Sequence, residues 1–483
     1  MILLKRVDLC LIEGLEFLKG EFTPVFSPIK EKRVKVLNPE VFHSVLLDEE
    51  KCKGCTHCIR RCPTEAIRVK RGKARIDEDR CIDCGECIRT CPNHAKYGQT
   101  DSLELLKKFK YTVALPAPAF YAQFKGNLSL SKLLGGLVKL GFDQVFEVAW
   151  AAEILADEIN QYLKKPNLSL PVISSACPAV VRLVEVQFPS LIENLLPLDS
   201  PLGLAAKIAR KQAIKDNGIK PEEIGVFFIT PCPAKVMEVR RSSGTLERID
   251  GAISMSSIYP RLINEIDNLP EESSYQIASW KGIGWARSGG EEESLGEGEY
   301  MAVDGIHNVI SVFEKIEMGE LKKVIYCEAQ ACVGGCIGGV FAVQNPFIAK
   351  VNVNHLIKKY STTRPPEEYQ LEKWRKERVF QRINPYEVRD VLKLDNDYRK
   401  AIEKYQQIEK ILEKLPALDC GACGCPTCRS LAEDVVRGKA QEIDCPFLLR
   451  EKLCEISKEI FDLASRVPQT MSEEGGKKKI ESK

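Results

Sequence analysis

The sequence predicts an α/β protein: a central α/β domain with a partly parallel sheet, a small α+β cysteine-repeat domain ahead of it, and a small, mostly helical four-cysteine domain behind it. Three observations predict this. Across residues 100–365, apolar strand-like runs alternate with amphipathic helical stretches, the pattern of strands joined by crossover helices. Across 45–98, eight cysteines fall in two copies of one spacing, a clear internal repeat. Four more gather between 420 and 445. Composition sets the frame. Of 483 residues, 20 are cysteine and 5 histidine, and 44% are apolar. That cysteine share is too low for a disulfide-stapled secreted domain, and the apolar share is ample for a core. Lys plus Arg is 70 against 68 for Asp plus Glu, a net charge of +2, so nothing suggests a nucleic-acid partner. Apolar runs fall well short of the ~20 residues of a membrane span. The N-terminus soon meets charges and lacks a signal-peptide pattern. The expected compartment is the cytoplasm, where cysteines are not kept as structural disulfides.

The elements follow in order. Residues 1–44 form an extension without a motif, and Glu40 to Leu47 reads as a short strand. In the central domain the strand-like runs are Tyr111–Leu115, Phe142–Val148, Leu170–Ile173, Ile224–Ile229 and Lys323–Tyr326. Residues 366–400 are charged and read as a linker. A helix-like run at 396–415 leads into the last domain, 401–465, and a polar tail, 466–483, is expected to be disordered.

Cys52, Cys55, Cys58 and Cys62 are spaced C-x2-C-x2-C-x3-C and followed by Pro63; Cys81, Cys84, Cys87 and Cys91 repeat the spacing and precede Pro92. This is the two-cluster pattern of bacterial ferredoxins, in which the fourth cysteine of each run serves the other cluster. One 4Fe–4S cubane is therefore assigned to Cys52, Cys55, Cys58 and Cys91, the other to Cys62, Cys81, Cys84 and Cys87. Gly54 and Gly85 supply the tight bends. Zinc sites pair two C-x2-C knuckles instead. His57 and His94, beside ligand cysteines, read as surface residues.

Four cysteines of the central domain look unrelated in sequence. Cys177 and Cys232 each precede a proline and a helix-like stretch, and Cys332 and Cys336 flank Val-Gly-Gly. Each group follows a strand-like run. Loops leaving the carboxyl ends of strands in an open α/β sheet converge on one crevice, so three such loops would gather four thiols, the number one cubane needs. Gly334 and Gly335 would let the backbone fold around it. Lys235 would point into the same crevice. Taken one at a time, each cysteine reads more readily as a buried apolar filler than as a ligand; the case rests on their joint placement.

These segments resemble the three signature segments of the [FeFe]-hydrogenases, and the resemblance runs over roughly residues 45 to 350. It implies an H-cluster, a 4Fe–4S cubane joined through one cysteine to a two-iron subsite with carbonyl, cyanide and dithiolate ligands. It implies that Cys177, Cys232, Cys332 and Cys336 hold the cubane, with Cys336 bridging to the subsite. Lys235 matches the lysine that hydrogen-bonds a cyanide ligand, and Glu238 the acid three residues on. Ala117-Pro118-Ala119 resembles the first loop lining the subsite, with Ala119 where that family has a polar residue. Trp285 to Gly290 resembles another loop of the pocket.

Departures from the family pattern are consistent with one another. The cysteine that passes protons, just before the first ligand, is here Ala176. A relay serine falls on Leu196. Two relay carboxylates align with Ile159 and Tyr162, although Glu153, Asp157 and Glu158 are close. Thr230 and Gln330 replace methionines, and Val340 replaces a third glycine. Ligands are kept while the relay is lost, a combination that resembles the sensory branch of the family. A positioned proton donor is worth typically ~10²–10⁴ in rate, so H2 turnover is expected to be slow. The rival is a non-catalytic electron-transfer or scaffold protein with only a cubane at the centre. The implied partners are H2, protons and an electron carrier, either a ferredoxin or a redox or signalling protein.

Last, Cys420, Cys423, Cys428 and Cys445 are spaced C-x2-C-x4-C-x16-C, with Cys425 extra and helical sequence from Leu431 to Ile443. This resembles the small 4Fe–4S domain of electron-transfer and corrinoid-linked proteins; zinc is the rival. The expected inventory is three 4Fe–4S clusters outside the centre and an H-cluster within it. Cys10, Cys327, Cys425 and Cys454 have no assigned role.

Overall fold

Two runs in the sequence are apolar on both faces, and both become central strands of a parallel sheet covered on each side, the burial such runs require. They are Tyr111–Pro116 (β5) and Ile224–Thr230 (β8). The computed structural model describes residues 43–124, 128–242, 246–264, 278–362 and 365–466. All but the last two residues of the N-terminal extension, Cys10 included, lie outside the described residues, as does the tail after residue 466.

Ahead of the central domain lie four short strands. Val45–Leu47 (β1) pairs antiparallel with Lys96–Gly98 (β4), and Ile67–Lys70 (β2) with Lys73–Ile76 (β3). This is an α+β fold wrapped around its cysteines. Gly54 and Gly85 take positive φ, 67° and 79°, as their bends demand.

The central domain holds two parallel sheets rather than one. A four-stranded sheet has the order β6-β5-β8-β9, with β6 Gln144–Val145 and β9 Gly251–Ser254. A three-stranded sheet has the order β10-β11-β7, with β7 Val172–Ile173, β10 Tyr300–Asp304 and β11 Tyr326–Gln330. The α/β class and the parallel arrangement are as expected. The run at 142–148 yields only a two-residue strand because Val148 already begins the helix Val148–Leu163. The run at 323–326 sits one strand-length early: β11 begins at Tyr326 and uses the polar Glu328 and Gln330, which a hydrophobic pattern passes over.

Residues 366–400 do more than connect. They form the helix Glu368–Lys376, whose Leu371 and Trp374 join the central core. The expected helix at 396–415 is Tyr398–Lys414. It is followed by the cysteine group, the helix Cys428–Val436, and a last helix, Pro446–Ala464.

The last domain docks on the first. The Val69 amide donates to the Gly424 carbonyl at 2.8 Å. Arg68 forks onto Asp434 at 2.7 and 3.2 Å, and Arg80 reaches Glu433 at 3.3 Å. A Cβ on Gly421 would lie 3.3–3.5 Å from Ile59 and Thr56, so the Cys420 loop rests beside the Cys55–Cys58 loop.

Candidate functional site

Three of the four central cysteines stand at loops where a strand has just ended. Strands β7, β8 and β11 deliver Cys177, Cys232 and Cys332 from their carboxyl ends, although from two sheets and not one. Cys177 and Cys232 are the N-caps of the helices Pro178–Gln187 and Pro233–Arg241, each with proline at its first position. Proline costs nothing there, and the positive end of each helix dipole favours negative charge on the thiolate. Cys336 opens a single 3₁₀ turn whose preceding residue, Gly335, has φ 89°. A side chain at 335 would also strike Gln330 Oε1 at 2.3 Å and the Ser288 amide at 2.6 Å, so glycine is required twice over.

Together Cys177, Cys232, Cys332 and Cys336 line one cavity of about 320 Å³, with Lys235 and Gln330. Three of the thiols, Cys232, Cys332 and Cys336, are hard to ionise as they stand. Burial pushes Cys332 and Cys336 up to about 12, and Cys177 as a neighbour pushes the same way. Cys232 is raised by burial and by the three others. Buried thiols pressed together lose this cost when a positive metal core accepts their charge. The donor set therefore fits a thiolate-ligated cluster.

A second cavity of about 570 Å³ adjoins the first and shares Ala176, Cys177, Pro231, Lys235, Gln330 and Cys336 with it. Its other walls are apolar, with Ala117, Pro118, Phe228 and Trp285 among them, and Lys235 is the one charged side chain in its lining. Lys235 Nζ is held by Glu238 at 2.6 Å, and Glu238 also accepts from the Ser200 hydroxyl. Burial opposes the charge on Lys235, but Glu238 and the nearby thiols outweigh it and raise the ammonium's pKa. Glu238 also lines a larger cavity, of about 930 Å³, whose walls mix apolar and charged side chains, so the pair stands between the two.

Not every expected site residue lines these cavities. Pro118, Ala176 and Gln330 do. Ala119 is fully buried nearby, and its carbonyl accepts from Gln123. Thr230 braces the Cys232 turn: its hydroxyl donates to the Cys232 carbonyl and accepts from the Cys232 amide. Ile159 and Leu196 are buried in the core and Tyr162 packs against it. The acids near them are engaged elsewhere: Glu153 with Ser279, Asp157 with Lys281, Glu158 with Arg375.

Sequence reasoning missed a buried polar group behind Ala176. The Ala176 amide donates to Ser174 Oγ, and Ser174 donates to Glu291, which also accepts from the Tyr326 hydroxyl at 2.5 Å. Burial pushes Glu291 up to about 7. Glu328, bonded by the Gly289 and Glu292 amides, is pushed up to about 8 by burial and by Glu291. The available signal was Glu291 itself, directly after the Trp285–Gly290 segment.

The cysteines of the repeat divide between two cavities. Cys52, Cys55, Cys58 and Cys91 line one cavity, and Cys62, Cys81, Cys84 and Cys87 another. The second faces the central site: Gly85 lies against Val340, and Arg89 donates to the Gly338 carbonyl at 3.0 Å. His57 and His94 are exposed. In the last domain Cys423, Cys428 and Cys445 cluster around a small core while Cys420 is exposed. Cys425 is buried; its thiol donates toward Asp434 at 3.7 Å, and Cys423, beside it, is lowered to about 6 by that thiol. Cys327 is buried in β11, and Cys454 is exposed.

Comparison with known proteins finds matches to three families along the chain. Residues 110–297 match the family described as iron only hydrogenase large subunit, C-terminal domain; residues 44–92 match a 4Fe-4S dicluster domain; residues 415–447 match an Fe-S cluster family. The chain is 30% identical over 239 residues to the periplasmic [Fe] hydrogenase large subunit of Nitratidesulfovibrio vulgaris, covering 45% of this chain and 57% of that one. It is 23% identical to iron hydrogenase 1 of Clostridium pasteurianum, covering 43% and 44%. The chain thus spans about half the length of these relatives. A shorter match, 28% over 115 residues, is to the cytosolic Fe-S cluster assembly factor nar1 of Aspergillus flavus, covering 21% and 20%. An [FeFe]-hydrogenase structure from Chlamydomonas reinhardtii aligns at TM-score 0.46 and 18% identity, covering 59% of this chain and 98% of that one. Residues 110–297 thus match the iron only hydrogenase large subunit, C-terminal domain, between a matched 4Fe–4S dicluster domain and a matched Fe–S cluster segment.

Proposed function

We propose that this chain is a slow [FeFe]-hydrogenase that interconverts H2 with protons and electrons in the cytoplasm, suited to reporting H2 more than to sustaining flux. One observation carries this reading: beside the four-thiol cavity lies an apolar one that shares Cys336 and Lys235 with it. Cys177, Cys232, Cys332 and Cys336 would hold the cubane, and Cys336 would also face the subsite. When bound, that group supplies the metal centre at which H2 is split or formed. The protein's own part is to exclude water with apolar walls, to fix one ammonium against the anionic subsite ligands, and to keep that ammonium charged through Glu238. At 176 the chain offers a methyl group, which neither takes nor gives a proton. Electrons would leave through the Cys62 group, then the Cys52 group, and reach a redox or signalling partner by way of the last cysteine group.

The second reading, a cubane-only scaffold or electron carrier, is favoured by the missing relay at Ala176. Infrared spectroscopy separates the two. Anaerobic protein made with the hydrogenase maturation proteins should show carbonyl and cyanide bands and reduce a dye under H2. Full cubane occupancy with neither result would establish the scaffold reading.

A further inference from the structure

The last helix, Pro446–Ala464, buries none of its 19 residues, and every residue from Leu449 to Arg466 is exposed. Helices in proteins owe most of their stability to packing an apolar face rather than to intrinsic propensity. Such a face is present. Leu449, Leu453, Ile456, Ile460 and Leu463 are spaced 4, 3, 4 and 3 residues apart and are 42%, 56%, 40%, 60% and 63% exposed. That spacing puts all five on one seam, the a and d positions of a two-stranded coiled coil. Beside the seam, Lys452 and Glu459 occupy successive flanking positions of the same class. Parallel pairing would set them against Ser457 and Ala464, with no charge to meet. Antiparallel pairing sets Lys452 of one copy against Glu459 of the other, twice over, and stacks Leu453 on Ile456 and Leu449 on Ile460. The outer face mixes Glu451, Glu455, Lys458 and Asp462, unlike the basic face of a helix that lies on anionic lipid.

We propose that this helix is a self-association element: two copies of the chain pair their Pro446–Ala464 helices antiparallel along this seam. The helix starts at Cys445, so a cysteine group would stand at each end of the pair. Nothing in this requires hydrogenase activity.

The test uses the whole chain with its clusters, studied anaerobically by sedimentation velocity between about 1 and 100 micromolar. The wild type should sediment as a dimer. The double variant Leu453→Asp/Ile456→Asp removes two seam residues that are exposed in a single copy; it should keep its iron and weaken dimerisation by at least about a hundredfold. Lys452→Glu alone should weaken the dimer, and adding Glu459→Lys should restore it. A wild type that stays monomeric throughout would overturn the proposal, as would a double charge reversal no better than the single change. Monomers whose helix becomes protected only with lipid vesicles or with a different protein would overturn it too.

Discussion

Ala176 illustrates how much one side chain decides. It lines the apolar cavity beside Cys177, and its amide leans on Ser174, the start of a buried polar group. Ala176→Cys adds to that cavity wall a thiol that is not one of the four expected cluster ligands. Turnover in an H2-dependent dye assay should rise at least tenfold, given that a positioned proton group is worth typically ~10²–10⁴. An unchanged rate in protein with intact carbonyl bands would mean that proton delivery does not limit it. Glu291 and Glu328 make a second residue-scale prediction. Both have folded pKa values, about 7 and about 8, raised above the ordinary carboxylate value by burial. A raised acid stabilises the fold at low pH and loses that contribution as pH climbs through the folded value. Thermal stability should therefore fall between about pH 5 and pH 8, a window set by the unfolded value and these two raised ones. Glu291→Gln should flatten that slope, and an equally steep slope in the variant would count against it.

At the scale of elements, the junctions are made by particular contacts that no sequence pattern announces. Gly85 needs its positive φ, and a Cβ there would come within 2.9 Å of Val340. The valine at 340, a departure in the third signature, is thus a packing partner of the first domain. Gly85→Ala should destabilise the chain by about 1–2 kcal/mol through backbone strain and crowding together. Val340→Gly should recover only the crowding part, as read from denaturant midpoints. Arg68 and Asp434 form a fork that is largely buried. Removing one partner of such a pair strands the other charge, at a cost of about 3–5 kcal/mol. Arg68→Met should speed hydrogen exchange across the helix Cys428–Val436 while leaving the central sheets protected.

These junctions mark the limit of sequence reading. The cysteine groups were legible because ligand spacing is local, and β5 and β8 because short apolar runs alternating with longer amphipathic stretches read as covered strands. The split into two sheets was not legible: β7 has two residues and β9 four, too short for any periodicity. The Ser174–Glu291–Tyr326 group was not legible because its members come from three distant segments, and only the fold brings them within hydrogen-bond reach.

On the scale of the whole molecule, the domains form an ordered series. The central cavity meets the Cys62 group through Gly85 and Arg89. That group shares one small domain with the Cys52 group, and the Cys420 loop rests beside Thr56 and Ile59. Such an order implies that each cluster can be removed from the far end without disturbing those nearer the centre. On the proposed reading, four cubanes would carry about 16 iron atoms, and a diiron subsite would raise the total to about 18. Cys428→Ala/Cys445→Ala, at the outer end, should lower the iron content by about four atoms and leave carbonyl and cyanide bands unchanged. H2-dependent reduction of a small dye able to reach the Cys52 group should persist, while reduction of a protein acceptor should fall steeply. If the protein acceptor is reduced as fast as before, the exit lies on the cysteine-repeat domain and the last domain has another purpose. If the infrared bands are lost with the outer cluster, the series is not a relay of independent stations, and the last domain is needed to assemble the centre.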